Sequence, residues 1–554
     1  MYLSPADLLL WRRCRRQWLN QCYPLGPDGK RTRRPALPVE MTGEAQLRET
    51  ARVITDAFHR QRGRAESIIE HVSMIPGDLR TAPAVAVLPV AVLHEGYIDA
   101  WAEATRRAIL EKRPFLDGIL VDRFLVALVD FGYYHEKVGG WEISLARPAT
   151  GVRGIYFTEA SILAAIAEAH EIPLAGIHLY YLTKNTASAA PDAPGPYLES
   201  NVLKRARKGT AQLSEDVAAL VETIDGGGEI DPGYRCSAKC DLCVPRGTNG
   251  PDRYSPLTLH KGGDLARELI AAGITDLRDE ALSLRKLTKK QRIQVESVRS
   301  DLLHIDTDRV RRFLEDLAYP LFFLDFEAFA PALPPFQGLS PYQHTPVLVS
   351  VHRETRPGSE PEGFVHACTP GSDGRNALFQ WLRDLVGETG TIVVFSRPFE
   401  TAMIRQLGNV AGDTAGADNL VGRVVDLLEP FSEFLVYHPE QRGKVSLKRV
   451  LPVFTDHAGY GESRVKDGMH ANLGFMRLHD RAVIAAGRGD RETAAAAAAE
   501  EATQIIERFG PSGATRLPTV EEIEAYCAVD TIAMYHLVER LRELCREPEE
   551  LPNP

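Results

Sequence analysis

An α/β chain in two halves, joined by a helical bridge, is the fold class this 554-residue sequence predicts, and three observations predict it. Strand-like and helix-like segments alternate from about residue 40 to about residue 185. From about 257 to 318 the pattern is helical and heavily charged. Past 318 come four short apolar runs of strand type, with one helix before the last of them, and then two long helices.

The elements follow in order. "SPADLLLWRRCRRQWL" carries a helix start, with Ser4 as N-cap and Pro5 in the first turn. Residues 23–40 are loop-like, rich in Pro, Gly and basic side chains. "FLVALVDF" and "GIHLYYLT" read as strands and "EASILAAIAEAH" as a helix. "NTASAAPDAPGPY" (185–197) is a loop, and "GGGEIDPGYRCSAKC" leads into a cysteine cluster. The bridge contains "DLARELIAAGITDLRDE" and "LTKKQRIQVESVRSDLL". Beyond it "PLFFLDFEAF", "PVLVSVH", "GFVHACT" and "GTIVVFS" are the strand candidates, and "RNALFQWLRDLV" is a helix. The tail holds "ETAAAAAAEEATQIIERF", whose alanine run follows from helix propensity alone, and "TVEEIEAYCAVDTIAMYHLVERLREL".

Composition narrows the class. A hydrophobic fraction of 44% and a charged fraction of 25% suit an ordinary globular protein. No apolar run approaches the about 18 residues that span a bilayer. "LLLW" is too short for a signal peptide and runs into "RRCRR" rather than a cleavage site, so a cytoplasmic protein without membrane partners is expected. The net charge of −10 argues against a uniformly basic surface.

The chemistry concentrates in "FFLDFEAF", where Asp325 and Glu327 interrupt an apolar strand. Residues two apart on a strand face the same side. Two carboxylates so placed repel unless a cation sits between them, and hard oxygen ligands suit Mg²⁺ or Mn²⁺. The bland alternative is an edge strand with two solvated acids. Downstream, Glu400 follows a strand in "SRPFETAMI", Asp426 lies in "RVVDLLEPF", and "YCAVD" sets Tyr526 and Asp530 four apart on one helical face. "VSLKRVLPVF" lies between.

Over residues 318–546 this succession resembles the DEDD exonucleases of the ribonuclease H-like fold. The resemblance implies Asp325, Glu327, Glu400 and Asp530 as ligands of two Mg²⁺ or Mn²⁺ ions. Tyr526 at this spacing points to the DEDDy branch, where it would orient the attacking water. The family usually has asparagine where Ser396 stands and aspartate where Glu400 stands. Asp426 is therefore kept as a substitute third ligand or a supporting acid.

In the front half, Cys14 in "CRRQWL" and Cys236, Cys240 and Cys243 in "CSAKCDLC" resemble the split cysteine set of RecB-like and CRISPR-associated nucleases. That resemblance implies a 4Fe–4S iron–sulfur cluster, with Zn²⁺ as the alternative. Cys22, Cys368, Cys527 and Cys545 read instead as small buried hydrophobes. The same family has a PD-(D/E)XK active site. Asp130 is its candidate upstream acid, but "LAR" (Leu145, Ala146, Arg147) stands where "E-V-K" is expected. In the other register, Glu142 is followed by Ser144 rather than lysine. Residues 1–250 are thus expected to form a degenerate, inactive nuclease-like module, 251–317 the bridge and 318–546 the exonuclease-like domain. Arg12, Arg13, Arg15, Arg16 and "KRTRR", with Trp11 and Trp18, are candidate contacts to phosphates and bases. A solvated helix face with buried tryptophans is the competing reading.

Taken together, the sequence leads to a metal-dependent 3′–5′ exonuclease acting on single-stranded DNA, with RNA as the other substrate. Its rivals are a non-catalytic nucleic-acid-binding or iron–sulfur sensor scaffold and a RecB-like endonuclease that uses the front half.

Overall fold

The computed structural model describes residues 95–182, 197–225, 246–456 and 518–546 apart from a few single positions, with scattered positions between 465 and 482. The chain divides into two compact units. The first comprises residues 1–235, 331–343 and 489–515, and the second comprises 236–330, 344–488 and 516–554. Both are α/β, each built on a five-stranded mixed sheet.

In the first unit, α1 (Glu95–Leu110) precedes β1 (Phe115–Asp122), β2 (Leu125–His135) and β3 (Gly140–Arg147). Helix α2 (Gly154–Ala169) then crosses to β4 (Leu174–Leu182), and β5 (Tyr197–Asn201) and α3 (Leu203–Asp225) follow. The sheet order is β1-β2-β3-β4-β5, antiparallel except for the β3/β4 pair that α2 joins. A parallel pair needs such a crossover, because a tight turn can only reverse the chain. Helix α2 is apolar on nearly every side, with Ala160, Ile162, Leu163 and Ile166 fully buried. It also packs closely on α3. Ser161 Oγ donates to the Ala206 carbonyl at 3.0 Å, and a Cβ on Gly209 would lie 2.3 Å from Ser161 Oγ. Glycine is required there by close approach.

The second unit contains α4 (Gly263–Ala271), α5 (Lys289–Ser300), α6 (Thr307–Glu315), β6 (Leu321–Phe329), β7 (Thr345–Glu354) and β8 (Glu362–Ala367). It continues with α7 (Arg375–Val386), β9 (Thr391–Val394), α8 (Arg397–Ala411), α9 (Thr414–Gly422) and β10 (Val424–Asp426). Helices α10 (Leu428–Ser432), α11 (Leu447–Phe454) and α12 (Val520–Leu544) follow among its described residues. Its sheet order is β8-β7-β6-β9-β10. Strand β7 is antiparallel to both β6 and β8, whereas β6, β9 and β10 run parallel. Strand β6 is central and covered on both faces, which explains its nearly unbroken apolar run. Leu321, Phe323 and Leu324 are fully buried, as are Ile392, Val393 and Val394 of β9.

The segment expected as a bridge packs within this second unit. Thr288 and Gln291 form a capping box at the start of α5. Buried Gln294 bonds the Thr258 carbonyl and the His260 N–H, and Ile293 packs with Phe434 and Tyr437. Cys14, Cys236, Cys240 and Cys243, the basic and tryptophan residues near Cys14, the "KRTRR" stretch and the alanine-rich segment lie outside the described residues. Among the described residues no helix is long and apolar enough to cross a membrane.

Candidate active site

Strand β6 splits the second sheet. The chain leaves it toward β7 and β8 on one side and returns through α7 to β9 on the other. In open α/β sheets such a reversal of strand order leaves a crevice at the strand carboxyl ends, where ligands bind. Asp325 sits at the middle of β6 and Glu327 two residues nearer its carboxyl end, so both face the same side. They lie opposite Ser350 and Leu348 of β7.

Helix α12 covers that face. Its Thr519–Glu522 capping box sets the start, and Phe323 meets Tyr535 edge-on. Thr531 Oγ1 lies 2.9 Å from Ser350 Oγ and 2.8 Å from His352 Nδ1, which fixes the helix beside the Asp325 position. Burial and neighbouring His536 pull His352 down to about 4, so it serves this contact as a neutral ring. The helix brings Asp530 and Cys527 to the acids. Cys527 is fully buried, with Sγ 3.4 Å from Asp325 Oδ2 and 3.6 Å from the Asp325 carbonyl. Ligand atoms of Asp325, Glu327 and Cys527 all lie within 4.8 Å of one another. Tyr526, one turn before Asp530, is buried under the Lys448 ammonium, which lies 4.8 Å from the ring centroid.

Glu400 arrives from the strand end of β9. The chain turns at Ser396, whose φ of 126° lies in a region that side-chain-bearing residues rarely adopt, and Pro398 follows in the first turn of α8. Asp426 holds this turn. Its Oδ1 accepts from the Ser396 and Leu428 N–H groups at 3.1 and 3.0 Å, and its Oδ2 from the Arg397 N–H at 2.9 Å. Asp426 is therefore a capping acid, and the turn it clamps presents Glu400. Glu400 is only 3% exposed, and its Oε2 has no hydrogen-bond partner.

The electrostatics follow from this crowding. Burial first, then the Asp530 charge, push Asp325 well above the usual carboxylate range, against the hydrogen bond from the Cys527 thiol. Glu400 is raised by burial and by Asp325, with smaller contributions from Glu327 and Asp530, while the Phe326 N–H opposes the shift. Burial and the same acids raise the Cys527 thiol. Two ionised carboxylates at the 4.8 Å limit repel by roughly 3–4 kcal/mol at an effective dielectric of about 20. A divalent cation would remove that penalty and give the orphaned Glu400 oxygen a partner. The donor set fits a cation.

Asp325, Glu327, Glu400 and Asp530 thus interact as one cluster, with Tyr526 one helical turn away and Asp426 supporting from behind. From the sequence alone Cys527 reads as one of the scattered, small buried cysteines, and Lys448 carries no signal. The usable signal for Cys527 was its place in "YCAVD", three residues before Asp530 and hence on the same helical face.

The first unit carries its own charged cluster. Arg147 Nη1 lies 2.9 Å from Asp130 Oδ2 and its Nε 2.6 Å from Glu159 Oε2, joining β3, β2 and α2. Asp130 and Leu145 share one face across the β2/β3 pair, with Arg147 two residues further on. Glu142 pairs with Tyr133 and so faces the opposite side of the sheet from Asp130. Arg147's guanidinium takes up the carboxylates that a cation would need.

Comparison with known proteins adds a family match alone. A family model described as "Domain of unknown function (DUF2779)" matches residues 322–446, a span that begins in β6 and includes Asp325, Glu327, Glu400 and Asp426. No curated protein and no solved structure matches.

Proposed function

We propose that the second unit is a two-metal 3′–5′ exonuclease of the DEDDy type, hydrolysing phosphodiester bonds in single-stranded nucleic acid, with DNA as the preferred substrate. The observation that carries this reading is the convergence of four acids from β6, α8 and α12, two of them held well above the usual carboxylate range and one with an orphaned buried oxygen. A central D-x-E strand, with an antiparallel hairpin on one side and helix-linked parallel strands on the other, supports a ribonuclease H-like domain.

Asp325, Glu327, Glu400 and Asp530 would hold the two Mg²⁺ or Mn²⁺ ions, which supply an activated water and stabilise the leaving oxygen when bound. Tyr526 would orient the attacking water through its phenol oxygen, which is too weakly acidic to serve as the base near neutrality. Lys448, at the Tyr526 ring, brings positive charge that favours an incoming phosphate backbone. Asp426 fixes the turn from which Glu400 projects. In the first unit, the strand–helix–strand core and the Arg147 cluster support a degenerate PD-(D/E)XK-like module. The four cysteines retain their proposed iron–sulfur role.

The test is incubation of the purified full chain with end-labelled single-stranded DNA and RNA, with Mn²⁺, Mg²⁺ or EDTA. Stepwise release of mononucleotides from the 3′ end, abolished by EDTA and by Asp530→Asn, is expected. Release that persists in Asp530→Asn, or no release from either polymer, would remove the proposal.

A further inference from the structure

We propose that Cys527 is a metal ligand, and that with Asp325 and Glu327 it makes the acid cluster a high-affinity zinc site. The inference rests on reading Asp325 and Glu327 as cation ligands, and goes beyond it by assigning a thiol donor and a different preferred metal. Three observations carry it. The Cys527 sulfur, a carboxylate oxygen of Asp325 and one of Glu327 lie within 4.8 Å of one another, a spacing one ion can bridge after small side-chain adjustments. All three belong to regular elements, β6 and α12, so their backbones are held in place. Beside them, Glu400 Oε2 is buried without a partner, and its carboxyl group is electrostatically coupled to both Asp325 and Glu327. It lies outside that 4.8 Å group and would have to move in to supply the fourth donor of a tetrahedral ion.

The donor chemistry discriminates between metals. Carboxylates alone suit Mg²⁺ and Mn²⁺, whereas a thiolate in the set favours Zn²⁺ and its softer congener Cd²⁺. As the sulfur–metal bond forms, the Cys527 S–H bond breaks and its proton passes to solvent. Nothing is oxidised or reduced. The Cys527 thiol donates to Asp325 Oδ2 at 3.4 Å, so the sulfur already points at a ligand of the proposed ion. Zinc is therefore expected to compete with the ions that support nuclease activity.

The experiment measures Zn²⁺ binding by equilibrium dialysis, and thiolate-to-Cd²⁺ charge-transfer absorbance, on full-length wild type, Cys527→Ser and Asp325→Asn. The chain has eight cysteines, so the readout is the difference between proteins. Each folded variant should lose one zinc equivalent, or bind it more weakly by at least the about 10- to 100-fold that loss of an outer partner alone costs a metal site. Cys527→Ser should also lose one thiolate's share of the Cd²⁺ band. In parallel, Zn²⁺ should inhibit Mn²⁺-supported nucleotide release in wild type and much less in Cys527→Ser. Equal zinc affinity and stoichiometry in wild type and either folded variant would overturn the proposal. If no nuclease activity is found but both variants lose the same ion, the exonuclease reading fails and the zinc site stands.

Discussion

Asp325 and Asp426 are both aspartates on strands of one sheet, yet their surroundings assign them opposite work. Asp325 sits among other acids with a thiol as its hydrogen-bond donor, so its ionised form lacks compensation until a cation arrives. Asp426 accepts three backbone N–H groups and is already satisfied. Asp325→Asn should therefore leave folding intact and reduce nucleotide release by orders of magnitude, because one ligand of the metal pair is lost. Asp426→Ala should instead cost about 0.5–2 kcal/mol of stability through the lost cap, measurable by urea denaturation. Its effect on activity should be smaller and indirect, through the placing of Glu400. A large stability loss in Asp325→Asn with activity retained would reverse these roles. The acids were legible in the sequence because carboxylates stand out in an apolar strand. Cys527 was not, since a buried cysteine on a helix has the same local pattern whether it packs or ligates.

Helix α12 shows how one element carries both the site and its anchorage. At its far end Arg542 Nη1 lies 2.9 Å from Glu354 Oε1 and also meets Glu539, while its Nη2 meets the Tyr319 hydroxyl. Glu354 is fully buried and accepts as well from the Gly358 N–H. Removing one partner strands the other, so Arg542→Ala should cost about 3–5 kcal/mol in urea denaturation, and Arg542→Met with Glu354→Leu should recover most of it. If the single variant loses nothing, the pair does not hold the helix. A second contact responds to pH. Burial and His536 hold His352 at about 4, below the ordinary histidine value of about 6.5. Between those limits the unfolded chain binds a proton that the folded chain refuses, so this contribution to stability is present above about 6.5 and lost as pH falls toward 4. The slope of melting temperature against pH across that window should flatten in His352→Asn, and an unchanged slope would contradict the assignment. The helix itself was readable from its periodicity and its Thr519 start. The face it would cover was not, because periodicity identifies a buried stripe without naming what it packs against.

On the scale of the whole molecule, the division into two α/β units follows the alternation of strands and helices in the sequence. The place of residues 251–317 does not, since polar side chains such as Gln294 and His260 fix that segment through backbone hydrogen bonds that no hydropathy pattern encodes. The two units also differ in what their acids face. In the second, buried carboxylates crowd against one another. In the first, Arg147 meets Asp130 and Glu159, and all three side chains are only 17–21% exposed. Burial alone would pull the Arg147 guanidinium down, but Glu159 and Asp130 raise it, so its charge is permanent. A fixed guanidinium cannot leave to admit a metal, and Leu145 offers no ligand in its place. Nuclease activity should therefore be unchanged in Asp130→Asn, even on circular single-stranded DNA, where an endonuclease would show itself. Arg147→Ala should leave two half-buried acids without their shared guanidinium, costing about 1–3 kcal/mol. That loss should appear as faster hydrogen exchange in peptides from β2 and β3, with the β6 peptides unaffected. Internal cleavage that survives Asp325→Asn and disappears in Asp130→Asn would instead locate the catalysis in the first unit.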